Sequence, residues 1–181
     1  MKQDFKKIIP TRFHSVSYEI DVTEAIKELA ITQIRSGNGL YLYGESGVGK
    51  THTICAIAKK VILSGIEIMF FNTGDFLDKL RDEFNKTPNW EDENHQSLFR
   101  EVMDFDGVLF LDDIGAEKAS EWVRERLYLI INKKYEDLKP IIFTSNCDLE
   151  ILSARLGDRV TSRIMGMAEI LELDGVDRRN K

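Results

Sequence analysis

The sequence predicts an α/β protein of three αβα layers: a five-stranded parallel sheet with helices on both faces. Short apolar runs alternate with longer segments of helical spacing. The runs Val108–Leu111 and Ile141–Phe143 are continuously apolar, as strands buried on both faces require. Gly44, Asp112 and Asn146 each stand directly after such a run. Ligands of open parallel sheets sit at the carboxyl ends of strands.

The elements follow in order. Asp21–Arg35 carries Val22, Ala25, Ile26, Leu29, Ala30 and Ile34 at helical spacing, and Ser36-Gly37-Asn38-Gly39 ends it. Gly39–Tyr43 is the first strand, followed by a helix over His52–Leu63. Ile66–Phe71 is the second strand and Thr73–Phe84 a helix with a Thr73/Asp75 start signal. Asn85–Asn94 contains Pro88 and three consecutive acids, so it reads as a solvated loop, and His95–Phe105 as a helix. Gly107–Leu111 is the third strand, Ala119–Asp137 a long helix and Ile141–Ser145 the fourth strand. Leu149–Met165 is predicted to be mostly helical, and Ala168–Leu173 makes the fifth strand. Residues 1–36 read as a segment and helix leading into a core of residues 37–181.

A chain of 181 residues can bury a substantial core. No apolar run approaches the ~18 residues of a membrane helix. The basic start MKQDFKKIIP is followed by neither a long apolar stretch nor a small-residue cleavage site, so a cytoplasmic location is expected. The two cysteines, Cys55 and Cys147, supply neither a disulfide framework nor a metal cluster. A net charge of −6 argues against broad duplex binding by a lone subunit.

Gly44-Glu45-Ser46-Gly47-Val48-Gly49-Lys50-Thr51 fits the phosphate-cradling loop of nucleoside triphosphatases, and a strand precedes it and a helix follows it. Its glycines let backbone N–H groups approach phosphate oxygens. Lys50 supplies a charge for the β- and γ-phosphates, and the Thr51 hydroxyl is placed for Mg²⁺. In Val108-Leu109-Phe110-Leu111-Asp112-Asp113, four apolar residues end in two acids, the Walker B pattern. Asp112 then holds Mg²⁺ together with Thr51, and Asp113 polarises the attacking water as general base. Two adjacent acids fit hydrolysis better than a kinase. Asn146, closing Ile141-Ile142-Phe143-Thr144-Ser145, offers an amide to the γ-phosphate or the water. Arg155, Arg159 and Arg163 recur every fourth residue, a spacing that lines one helix face. That face is either solvated or delivers a guanidinium to a neighbouring subunit's phosphate.

The glycine loop with His52, Asp112-Asp113-Ile114-Gly115, Thr144-Ser145-Asn146 and Arg159-Val160-Thr161-Ser162-Arg163-Ile164 together resemble the AAA+ ATPases of the bacterial helicase-loader type (DnaC/DnaI), close to IstB transposition ATPases. The segments Ser120–Glu125, Ile130-Ile131-Asn132, Lys139-Pro140 and Ile9–Phe13 resemble the family too. The resemblance implies a sheet of order 5-1-4-3-2. Asn146 becomes the first sensor, Arg163 an arginine finger acting on a neighbour's ATP, and Arg159 its supporting arginine. It also implies an ATP-bound ring or spiral around single-stranded DNA. Lys79, Arg81 and Lys86 are candidate DNA contacts, with a solvated helix face as the equal alternative. A replicative helicase is the implied partner, although the glycine loop begins too early to leave room for a helicase-binding domain. The chain after the fifth strand is too short for a helical lid, and Arg178 or Arg179 stands where a second sensor is expected. Phe13 and Ile9 are candidates for either the adenine pocket or the core.

Overall fold

Five parallel strands form one sheet in the computed structural model, which describes residues 3–86, 97–175 and 177. They are β1 (Gly39–Tyr43), β2 (Ile68–Asn72), β3 (Val108–Asp112), β4 (Ile141–Ser145) and β5 (Ala168–Glu172). Their spatial order is β2-β3-β4-β1-β5, the predicted order read from the other edge. Leu40 lies opposite Ile142, and Leu109 opposite Ile141. These pairings bring the carboxyl ends of β1, β3 and β4 side by side.

The strands sort their side chains with period two, and both faces are apolar. Leu40, Leu42, Val108, Phe110 and Ile142 face one core. It is covered by α1 (Phe5–Ile8), α2 (Tyr18–Asp21), α3 (Glu24–Arg35) and α4 (Lys50–Leu63). Tyr41, Leu109, Leu111, Ile141 and Phe143 face the other core. It is covered by α5 (Thr73–Lys86), α6 (Leu98–Asp104), α7 (Glu121–Glu136), α8 (Leu149–Leu156) and α9 (Asp158–Met167). Cys55 and Cys147 are free, buried thiols on opposite faces. Among the described residues no helix is long and apolar enough to cross a membrane.

Side-chain caps fix the starts of α6, α7 and α8. Ser97, Ser120 and Asp148 accept hydrogen bonds from the backbone N–H groups of Arg100, Val123 and Ile151.

Several boundaries differ from the sequence reading, among them the start of α4, at Lys50 rather than His52. The helix predicted from Asp21 starts at Glu24, because Val22 and Thr23 are extended. Asp21 belongs to α2 instead, where its carboxylate accepts the Ser17 N–H at 2.6 Å. The second strand starts at Ile68, because Gly65 and Ile66 close α4 by bonding back to Ile62 and Val61. Asn85 and Lys86 lie in α5 rather than in a loop, while residues 87–94 of the predicted loop fall outside the described residues. The largest difference is the predicted helix Leu149–Met165. Gly157, at φ 92 and ψ 155, splits it into α8 and α9. That conformation is essentially open to glycine alone.

Candidate functional site

The glycine loop joins β1 to α4. Gly47 and Gly49 have φ values of 90 and 107, which side-chain-bearing residues rarely adopt. α4 begins at Lys50, so its free N–H groups face the concavity of the loop. Val48 is buried and anchors the loop to the core side.

Lys50 is only 5% exposed. Its Nζ donates to Gly44 O and Glu45 O at 2.8 Å and to Asn146 Oδ1 at 2.7 Å. The Thr51 hydroxyl lies 3.0 Å from both carboxylate oxygens of Asp112. Two threonines to which the sequence assigned no part in the site complete the arrangement. Thr144 Oγ1 donates to Asp112 Oδ1 at 2.5 Å and accepts the Asp113 N–H at 2.8 Å. Thr73 Oγ1 donates to Asp112 O at 2.8 Å, tying the start of α5 to the end of β3.

Burial pushes the Asp112 carboxyl up to about 6, against the opposing pull of the Thr144 hydroxyl. A divalent cation beside Thr51 and Asp112 would relieve that cost. Among the described residues no three His, Cys, Asp or Glu side chains cluster as a metal cage. One carboxylate and one hydroxyl suit Mg²⁺, which keeps waters and takes phosphate oxygens for its remaining positions. Asp113 sits at φ 58, and this left-handed backbone carries its side chain into the cavity lining.

The cavity has a volume of about 460 Å³. Ser46, Gly47, Gly49, Lys50, Thr51, His52, Asp113 and Asn146 line it, as does a wall from the N-terminal segment made of Arg12, Phe13 and Asp21. His52 Nε2 lies 3.2 Å from Asp21 Oδ1 and presents its ring edge-on to Phe13. Phe13 therefore lines the cavity, whereas Ile9 is 3% exposed and belongs to the core. The sequence assigned neither Arg12 nor Asp21 to the site. A second cavity of about 620 Å³ opens on the other side of Thr51 and Asp112 and reaches Lys79.

The three arginines do not share one helix face. Arg155, on α8, spends its Nη1 on Gly115 O at 2.6 Å. Arg159 and Arg163 share a face of α9, outside the lining of their own chain's cavity. The Arg159 guanidinium lies 3.9 Å from the Tyr128 ring centroid, and Arg163 Nε donates to Asn132 Oδ1 at 2.7 Å. Arg81 is engaged locally, 3.3 Å from Asp78 and stacked over Trp122. The side chain of Lys86, and Arg178 and Arg179, lie outside the described residues.

The family described as "IstB-like ATP binding protein" matches residues 12–181. The replicative helicase loader DnaI of Bacillus subtilis (strain 168) is 29% identical over 172 residues, covering 88% of this chain and 52% of the relative. The replicative helicase loader DnaC of Escherichia coli (strain K12) is 24% identical over 121 residues, covering 67% and 47%. The chain thus spans about half the length of these curated relatives. A crystal structure of the DnaC helicase loader superposes with a TM-score of 0.76 at 29% identity, over 91% of this chain and 100% of that one. Sheet order, glycine loop and these likenesses agree on a three-layer AAA+ P-loop fold. The chain belongs to the IstB-like ATP-binding protein family, AAA+ ATPases related to the DnaC and DnaI helicase loaders.

Proposed function

We propose that the chain binds and hydrolyses ATP as part of a homo-oligomer on single-stranded DNA and loads or remodels a replicative helicase. The observation that carries the chemistry is the convergence of Lys50, Thr51, Asp112, Asp113 and Asn146 at the ends of three adjacent strands. Loop N–H groups and Lys50 hold the phosphates. Thr51 and Asp112 hold Mg²⁺, which supplies charge neutralisation on the β- and γ-oxygens. Asp113 accepts a proton from the attacking water, and Asn146 orients that water or the γ-phosphate. Arg163, with Arg159 on the same face of α9, lies outside the lining of its own cavity and serves the ATP of a second copy. The names of the relatives DnaI and DnaC support the helicase-loading role.

The family match and the likeness to DnaA initiators support a second reading, a nucleotide-switched DNA-binding adaptor of a transposition or initiator-regulating system, for which we expect little turnover. Two measurements separate them: ATP turnover with and without single-stranded DNA, and pull-down with a replicative helicase. Stimulated turnover with helicase retention supports the loader. DNA retention by an ATP-bound assembly, without stimulated turnover or helicase capture, supports the adaptor. Absence of ATP binding overturns both.

A further inference from the structure

Arg163 is held from two sides by α7. Its Nε is committed to Asn132 Oδ1 at 2.7 Å, and its guanidinium lies 5.0 Å from the Tyr135 ring centroid. Asn132 is itself oriented, because its Nδ2 donates to Glu136 Oε1 at 3.0 Å and thereby turns Oδ1 toward Arg163. The Tyr135 ring rests on Gly166 of α9, where a Cβ would come within 2.8 Å of it. The two terminal nitrogens of Arg163 hydrogen-bond to none of the described residues, and none of their carboxylates pairs with it.

This arrangement differs from a packed surface ion pair. A carboxylate at position 132 would neutralise the guanidinium, whereas a neutral amide fixes its direction and leaves its charge intact. Arg155 makes the contrast, since its Nη1 is spent within its own subunit.

We propose that Asn132 and Tyr135 are positioning residues for Arg163, fixing its Nε and one face so that both terminal amino groups present a bidentate fork to the γ-phosphate bound by a second copy. The proposal rests on the reading of Arg163 as a residue acting in trans. A fork held in advance forms its hydrogen bonds without first being ordered, and misplacement by about 1 Å costs on the order of 10²-fold in rate.

The test measures ATP turnover of the assembled full chain on single-stranded DNA, with ATP affinity measured alongside. Asn132→Ala should lower kcat by roughly 10–100-fold with ATP affinity unchanged. Asn132→Asp should lower it too, because the added charge neutralises the fork. Tyr135→Phe keeps the ring and should retain activity, whereas Tyr135→Ala should not. In an Arg163→Ala background, Asn132→Ala should cause no further loss. If Arg163→Ala is inactive while Asn132→Ala and Asn132→Asp turn over normally, the positioning role is overturned and the trans reading stands. A further loss in the Arg163→Ala background likewise overturns it, because Asn132 then acts elsewhere. If Arg163→Ala itself turns over normally, both are overturned.

Discussion

Lys50 Nζ donates to Asn146 Oδ1 across 2.7 Å, joining the glycine loop to the end of β4 over 96 residues of sequence. The same ammonium holds Gly44 O and Glu45 O. One cation therefore closes the loop on itself and links it to Asn146, the residue we propose senses the γ-phosphate.

The two partners differ in what their loss removes. Lys50→Ala deletes the charge on the phosphates and should weaken ATP binding by about 10–100-fold, the scale of one charge-assisted hydrogen bond. Asn146→Ala leaves Lys50 its two carbonyls and should bind ATP normally but turn it over slowly. Titration with a fluorescent ATP analogue, paired with phosphate release, checks both. Equal affinity loss in the two variants would contradict this division.

Asp113 combines a proposed chemical role with backbone strain. A non-glycine residue at φ 58 costs about 1 kcal/mol. Asp113→Gly should raise the urea midpoint while lowering turnover by ~10²–10⁴-fold, the usual contribution of a general base. Asp113→Asn should lose turnover without the stability gain. Normal hydrolysis by either variant would remove Asp113 as the base.

Asp112 is ionised at neutral pH at a cost, since burial lifts its carboxyl to about 6. Asp112→Asn should therefore stabilise the nucleotide-free protein by on the order of 3 kcal/mol, the lift from the ordinary 3.8 to about 6 at about 1.4 kcal/mol per pKa unit. It should also abolish the further stabilisation that Mg²⁺ adds to the ATP-bound protein. Thermal melts with and without Mg²⁺-ATP check both effects; a destabilised variant would contradict the assignment of burial as the dominant cause.

Lys134 of α7 is 1% exposed and donates to Met103 O and Phe105 O at the end of α6. Burial pushes its ammonium from the ordinary 10.5 down to about 8. The folded chain then releases this proton at lower pH than the unfolded chain. Stability from this group rises as pH climbs from about 8 toward 10.5. Urea midpoints of the wild type should gain on those of Lys134→Met over that range, and a constant difference would contradict the shift.

The nucleotide site was readable in the sequence because its chemistry is local. Gly44–Thr51 must be consecutive to form the cradle, and Asp112 and Asn146 each need only a buried strand before them. The helix break was not readable, because arginines at 155, 159 and 163 have the same spacing on a continuous face as across a glycine joint. Only the backbone of Gly157 separates the two cases. Asn132, Tyr135 and Tyr128 were equally hidden. On α7 they read as an ordinary half-exposed face, and their role depends on which helix packs against them. Thr144 and Thr73 were visible as strand and helix ends, but their bonds to Asp112 exist only once β3, β4 and α5 are assembled.

In the proposed assembly each ATP is gripped by one subunit and hydrolysed with the help of Arg163 from the next. Mixing two inactive variants tests it most directly. Lys50→Ala subunits lack the phosphate grip but carry Arg163, and Arg163→Ala subunits carry the grip but lack the arginine. Turnover in the mixture on single-stranded DNA, absent from either variant alone, is the predicted result. A mixture as inactive as its components, despite formation of mixed assemblies, would contradict it.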